Sequence, residues 1–209
     1  MSIIAKLSSQ SGDRTEASNK RVAERVLKEP ALLAEIAQGV AATDAKLAGD
    51  CAEVMTMAAA KKPDIVAPYA DTLIARLDDK DTRVRWEVMH CLAEIAAQVP
   101  DKIAPLVRRI DEKIALDKSV IVRDYAILAL GEYGGTSPAA AQRVWSHLRR
   151  ALILWDGKHA SKALTAMQKL VAVDPSLRPD AQKIAQSLVD HKRASVRTAA
   201  KKLLKKVEL

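Results

Sequence analysis

The sequence of 209 residues contains no phenylalanine, only seven glycines, and aromatic side chains at 3% of its positions. A core without large rings must be built from Ala, Leu, Ile and Val, and their arrangement here favours helices that approach closely. An all-α protein is expected. The two cysteines, Cys51 and Cys91, lie in apolar helical patterns with no second Cys at metal-ligand spacing, so both read as buried free thiols. No apolar run is long enough to cross a bilayer, although 49% of positions are hydrophobic; a soluble chain with ample core, and no integral membrane association, is expected. The opening "MSIIAKLSSQSGDR" carries one early Lys and no sustained apolar stretch of the secretory kind. It predicts a cytoplasmic protein in which residues 1–13 form a flexible tail.

Catalytic signatures are missing as well. His90, His147, His159 and His191 are scattered, without HExxH or a Cys/His ligand set. Gly134 and Gly135 in "GEYGGTSP" belong to a helix-to-helix turn rather than a phosphate loop. No Ser or Cys has a recognisable nucleophile setting. No catalytic, metal or cofactor-binding residue is therefore expected.

What the chain does contain is a repeat. Pro63, Pro100, Pro138 and Pro175 recur at intervals of 37, 38 and 37, and Leu47, Val84, Val122, Ala160 and Val196 keep the same frame. Each unit reads as a first helix, with apolar positions such as Val84, Val88, Cys91, Leu92 and Ile95, then a proline-containing turn. A second helix follows, as in Ile103, Leu106, Val107, Ile110 and Ile114, and ends in an acidic turn. Such a hairpin has an apolar stripe on both helices and cannot bury both alone, so neighbouring hairpins must stack.

The segments "LDDKDTRVRWEVMHCLAEIA" and "ALDKSVIVRDYAILALGEYG", with "SVR" at Ser195–Arg197, resemble HEAT repeats. The resemblance covers about residues 44 to 209 and implies a right-handed α-solenoid of stacked antiparallel hairpins. It further implies a polar ladder between successive repeats through Asp79, Arg85, Asp117 and Arg123, with Arg197 in the corresponding place of the last unit. Ala48 and Ser161 stand where two units would have the ladder Arg. Pro68 and Pro105, and Pro179 in the fifth unit, fit the first turn of second helices, where the missing N–H costs nothing. The expected single repeat domain, residues 14–209, has units of about 14–43 (a divergent cap), 44–80, 81–118, 119–156 and 157–192, closed by a helix over 193–209.

Charge points to the function class. Residues 1–100 hold 13 basic and 15 acidic side chains, net −2, and residues 101–209 hold 21 and 11, net +10. Second helices of HEAT-like units line the concave face, so Arg76, Arg108, Arg109, Lys113, Arg143, Arg149, Arg150 and Lys183 are the candidate partner-binding residues, with Trp155 in "LILWDGKH" the aromatic expected to be partly exposed. The main expectation is a non-catalytic monomeric scaffold presenting this surface to an acidic protein partner. The alternative is a nucleic-acid binder, related to alkylpurine DNA glycosylases built from HEAT-like repeats, although their Trp-Asp motif has no residue-by-residue match here. The terminal "RASVRTAAKKLLKKVEL" reads as a basic amphipathic cap, lysines outward, with contact to a membrane surface or nucleic acid as the alternative.

Overall fold

The computed structural model describes residues 2–13 and 15–208. Among them all regular structure is helical. Two compact units, Met1–Lys102 and Ile103–Leu209, divide the chain inside the second helix of the third hairpin.

The first unit contains α1 (Ala17–Lys28), α2 (Leu33–Val40), α3 (Ala45–Ala59), α4 (Ala70–Ile74) and α5 (Thr82–Ile95). Here α3 is central, packing on α1, α2 and α5, while α2 lies against α4. First helices thus stack on first helices and second on second. The second unit contains α6 (Val107–Leu116), α7 (Val120–Gly134), α8 (Pro138–Ala151), α9 (Ala160–Val173), α10 (Arg178–Leu188) and α11 (Ala194–Val207). Its first helices α7, α9 and α11 pack in succession, with α6 and α8 against α7. This is the all-α helical-repeat arrangement of the solenoid class.

Local chemistry sets the helix starts. The Asp44 carboxylate accepts from the N–H of Lys46 and Leu47, and Asp81 from Arg83 and Val84; Ser119 and Ser137 accept from Val122 and Ala140. Each supplies an acceptor to N–H groups that the helix leaves unpaired. Pro138 occupies the first position of α8, where its fixed φ suits a helix start.

Pro68 and Pro105 act differently from the expectation. A helical turn, Pro63–Val66 or Pro100–Ile103, precedes each, so neither begins its helix. The prolines fall within 3-10 segments, Ala67–Tyr69 and Ala104–Leu106, from which α4 and α6 restart. Having no N–H, a proline at that depth breaks the i→i−4 ladder and tightens the turn locally.

The N-terminal segment is a second correction, since it is no flexible tail. Ile3 and Leu7 are fully buried. Ser8 N–H donates to Asn19 Oδ1 at 2.9 Å and Ser9 N–H to Asp50 Oδ2 at 2.7 Å, while Asn19 donates to Glu53 at 2.7 Å. Arg83 of α5 closes the cluster by pairing with both Asp50 (2.7 Å) and Glu53 (3.0 Å). Apolar positions spaced four apart cover the open face of the first hairpin, and the carboxylates take the backbone donors that would otherwise be buried unpaired.

Close approach in the second unit rests on Gly131 of α7. A Cβ placed there would lie 2.7 Å from Ala166 Cβ and 3.1 Å from Ala166 Cα on α9. Cys51 and Cys91 are buried free thiols, and burial pushes Cys51 up to about 12.

Two outcomes follow. Gly131→Ala would gain about 1 kcal/mol of helix propensity in an open helix, but overpacking here should make it net destabilising by about 1–2 kcal/mol, measured by urea denaturation; an unchanged or raised midpoint would contradict the close approach. Burial raises the Asp50 pKa, but the Ser9 and Arg83 hydrogen bonds outweigh it and hold the group below its ordinary value. Its stabilising contribution is therefore present above the unfolded-state value of about 3.9 and is lost as pH falls through the lower folded-state value. Hydrogen-exchange protection of the Ser9 amide should decline on acidification below about pH 4, and protection independent of pH there would contradict this.

Candidate partner-binding surface

The ladder arginines adopt one geometry three times. Arg85 Nη1 donates to Asp79 O at 2.8 Å and Lys80 O at 3.1 Å; Arg123 Nη1 to Asp117 O at 2.7 Å; Arg197 Nη1 to His191 O at 2.8 Å and Lys192 O at 3.1 Å. Each guanidinium reaches back six residues to the main chain of the turn that precedes its helix. The carboxylates of Asp79 and Asp117 meanwhile accept the N–H two residues on, from Asp81 and Ser119, at 2.8 Å each. Within a hairpin, then, Asp shapes the turn and Arg clamps its carbonyls.

The second-helix cations have unequal surroundings. In the first unit, Arg76 pairs with Asp79 at 2.8 Å and donates to Ala42 O at 3.1 Å, so it ties adjacent hairpins together. In the second, Arg108 of α6 is exposed and 3.4 Å from Glu112; Arg109 and Lys113, half-buried, also have interaction partners. Arg150 of α8 pairs with the buried Asp111 of α6, which His147 Nδ1 also contacts at 2.9 Å. Arg149 lies 3.4 Å from Asp180 of α10, and Trp145 Nε1 donates to the same carboxylate at 2.8 Å. Arg143 and Lys183 are exposed.

Between α8 and α10 lies an open groove of about 530 Å³ lined by Ser146, Arg149, Arg150, Leu152, Ile153, Ile184, Ser187 and Leu188. No acidic residue lines it. Arg149 and Arg150 each keep about half of their side chain in solvent despite their partners.

Beyond the groove, the α8–α9 turn holds Trp155 (φ 55°, ψ 43°) and Asp156 (φ 54°, ψ 38°) in left-handed conformation, followed by Gly157 at φ 66°. Side chains there cost about 1–2 kcal/mol per residue, and tertiary contacts hold them. Trp155 Nε1 donates to Ile114 O at 2.9 Å, and the Arg123 guanidinium stacks 3.9 Å from the ring centroid. Arg123 is 3% exposed and His159 1%. Arg123 Nε donates to His159 Nε2 at 3.0 Å, which leaves the proton on Nδ1, 2.7 Å from Asp124 Oδ1. The Asp124–His159–Arg123–Trp155 chain fixes the turn, leaving Trp155 42% exposed.

Asp111, Asp180, Asp124 and His159 were not among the residues singled out from sequence. Their partners stand about one repeat away, 39 residues for Asp111–Arg150 and 35 for both Asp180–Trp145 and Asp124–His159, so the repeat period itself was the usable signal. The described residues include no cluster of three or more His, Cys, Asp or Glu suited to a metal, and no helix long and apolar enough to cross a membrane.

Removing Arg123 would strand the Asp117 carbonyl and His159 Nε2 and uncover the Trp155 ring. Arg123→Ala should lower stability by about 2–4 kcal/mol and red-shift the Trp155 emission in a Trp86→Tyr/Trp145→Tyr background. A denaturation midpoint equal to that of the parent would refute the clamp.

The fold is shared with designed repeat proteins. A designed armadillo repeat protein in complex with the peptide (KR)4 matches with a TM-score of 0.75 at 14% identity, covering 98% of each chain. An engineered protein matches with a TM-score of 0.71 at 16% identity, over 100% of this chain and 97% of its own. A second designed armadillo repeat protein gives 0.70 at 15%, again over 98% of each chain. Identities of this size speak for the fold alone. No curated protein matches the sequence. Residues 51–206, well over half of the sequence, match Cnd1, described as non-SMC mitotic condensation complex subunit 1, and the chain belongs to that family of HEAT-like helical-repeat proteins.

Proposed function

We propose that this chain is a non-catalytic, monomeric binding module of the cytoplasm that presents the basic second-helix surface of its second unit to an acidic protein partner. The observation that carries the reading is the groove between α8 and α10, whose lining has two half-exposed arginines and no carboxylate. The unit that holds it is basic overall: residues 103–209 hold 20 Lys or Arg against 10 Asp or Glu, net +10. A potential of that sign draws acidic partners and raises their association rate.

The designed armadillo protein with bound (KR)4 is a helical-repeat surface that holds a basic peptide. Here the charge is reversed, and with it the expected peptide. The family description, a subunit of a condensation complex, agrees with a role in assembly. Phosphate backbones would be drawn by the same potential, and a direct comparison of acidic peptide with duplex DNA separates the two readings.

Fluorescence anisotropy with a short labelled poly-glutamate tests the reading. Binding at low salt should weaken as salt rises, and Arg143→Glu/Lys183→Glu, altering exposed residues, should reduce affinity by about tenfold. Affinity unchanged in the variant, or a preference for duplex DNA over the peptide, would reject the acidic-protein reading.

A further inference from the structure

Among the described residues, Leu116, Ile121, Ile153 and Trp155 are the large hydrophobic side chains left exposed, at 74%, 42%, 76% and 42%. All four occupy two turns that the structure joins. Leu116 ends α6 and Ile121 opens α7; Ile153 and Trp155 belong to the α8–α9 turn. Trp155 donates to Ile114 O, two residues before Leu116, which joins the two turns. Single exposed apolar residues need no explanation, but Leu116, Ile153 and Trp155, exposed on two turns that a hydrogen bond joins, mark a candidate interaction surface.

Two features show that this patch is held rather than left over. The backbone of Trp155 and Asp156 is kept in a region that side chains avoid, and a buried Arg–His–Asp chain secures it. A tryptophan so fixed carries large contact area with little conformational freedom to lose on binding. In addition, Ile153 belongs both to the patch and to the α8–α10 groove, which continues through Leu152, Ile184 and Leu188 under Arg149 and Arg150. An apolar strip therefore runs from the turns into a groove with a cationic rim.

We infer that this strip docks an acidic peptide segment carrying spaced apolar side chains, which seat on Leu116, Ile153 and Trp155 while its carboxylates face Arg149 and Arg150. The inference rests on the protein-binding reading above and adds the partner's chemistry and the anchors. Charge selects this occupant. A second copy docking through the same unit would bring another net +10 against the first, and its other unit, residues 1–102, offers a net charge of only −2. Nucleic acid would leave Leu116 and Ile153 without apolar partners, and an anionic bilayer surface cannot follow a groove between two helices.

The test uses the full chain and two labelled peptides of equal length, poly-glutamate and the same peptide with Leu at every fourth position. The Leu-containing peptide should bind about tenfold more tightly, the effect of well-buried anchors. Leu116→Ser should reduce that preference while leaving poly-glutamate affinity and the melting temperature unchanged, since Leu116 is exposed and lies outside the groove lining. Equal affinity for the two peptides would overturn the strip but leave the acidic-partner reading standing. No binding of either would overturn both. Variant-sensitive binding to phosphatidylserine vesicles with no preference between the peptides would overturn the peptide inference in favour of a membrane surface.

Discussion

An amphipathic hairpin cannot bury both of its apolar stripes against itself, and every other feature of this protein answers that constraint. Hairpins must stack, so the turns must repeat with constant geometry. The clamp that fixes them is a guanidinium reaching six residues back to a main-chain carbonyl, at Arg85, Arg123 and Arg197. Carbonyl acceptors suit the task because a turn cannot release them, whereas carboxylates are also needed to hold the N–H groups of the same turn. A small-residue core follows: Ala48, Ala52, Ala126, Ala129 and Ala166 are buried, and Gly131 lets α9 approach.

In the second unit the clamp also serves the surface. Arg123 holds its own turn and at the same time stacks on Trp155 and donates to His159. The interaction that holds the α6–α7 turn thereby positions an exposed aromatic ring on the α8–α9 turn. Strain in the α8–α9 turn and order in the α6–α7 turn are thus linked through one buried cation.

Much of the fold was legible because periodicity survives in a single sequence. Prolines near 37-residue spacing and the apolar positions of each hairpin belong to local rules that read directly. Pro68 and Pro105 were misplaced within their helices, because sequence shows that a proline is present but not which turn precedes it. The tail over 1–13 was misjudged for a different reason. Ile3 and Leu7 are too few to form a periodic pattern, and only the tertiary acceptors Asn19 and Asp50 make their docking favourable. At the surface, Arg149 and Arg150 were recognisable as cations, whereas their partners Asp180 and Asp111 are separated by 31 and 39 residues, and exposure of Leu116 and Ile153 depends on neighbours that sequence does not name.

The most direct measurement is hydrogen–deuterium exchange of the full chain with and without saturating acidic, leucine-bearing peptide. The account predicts added protection confined to α8, α10 and the α6–α7 and α8–α9 turns, with the rest of the second unit unchanged. Protection centred on α11 or on the first unit, with none at these elements, would contradict it.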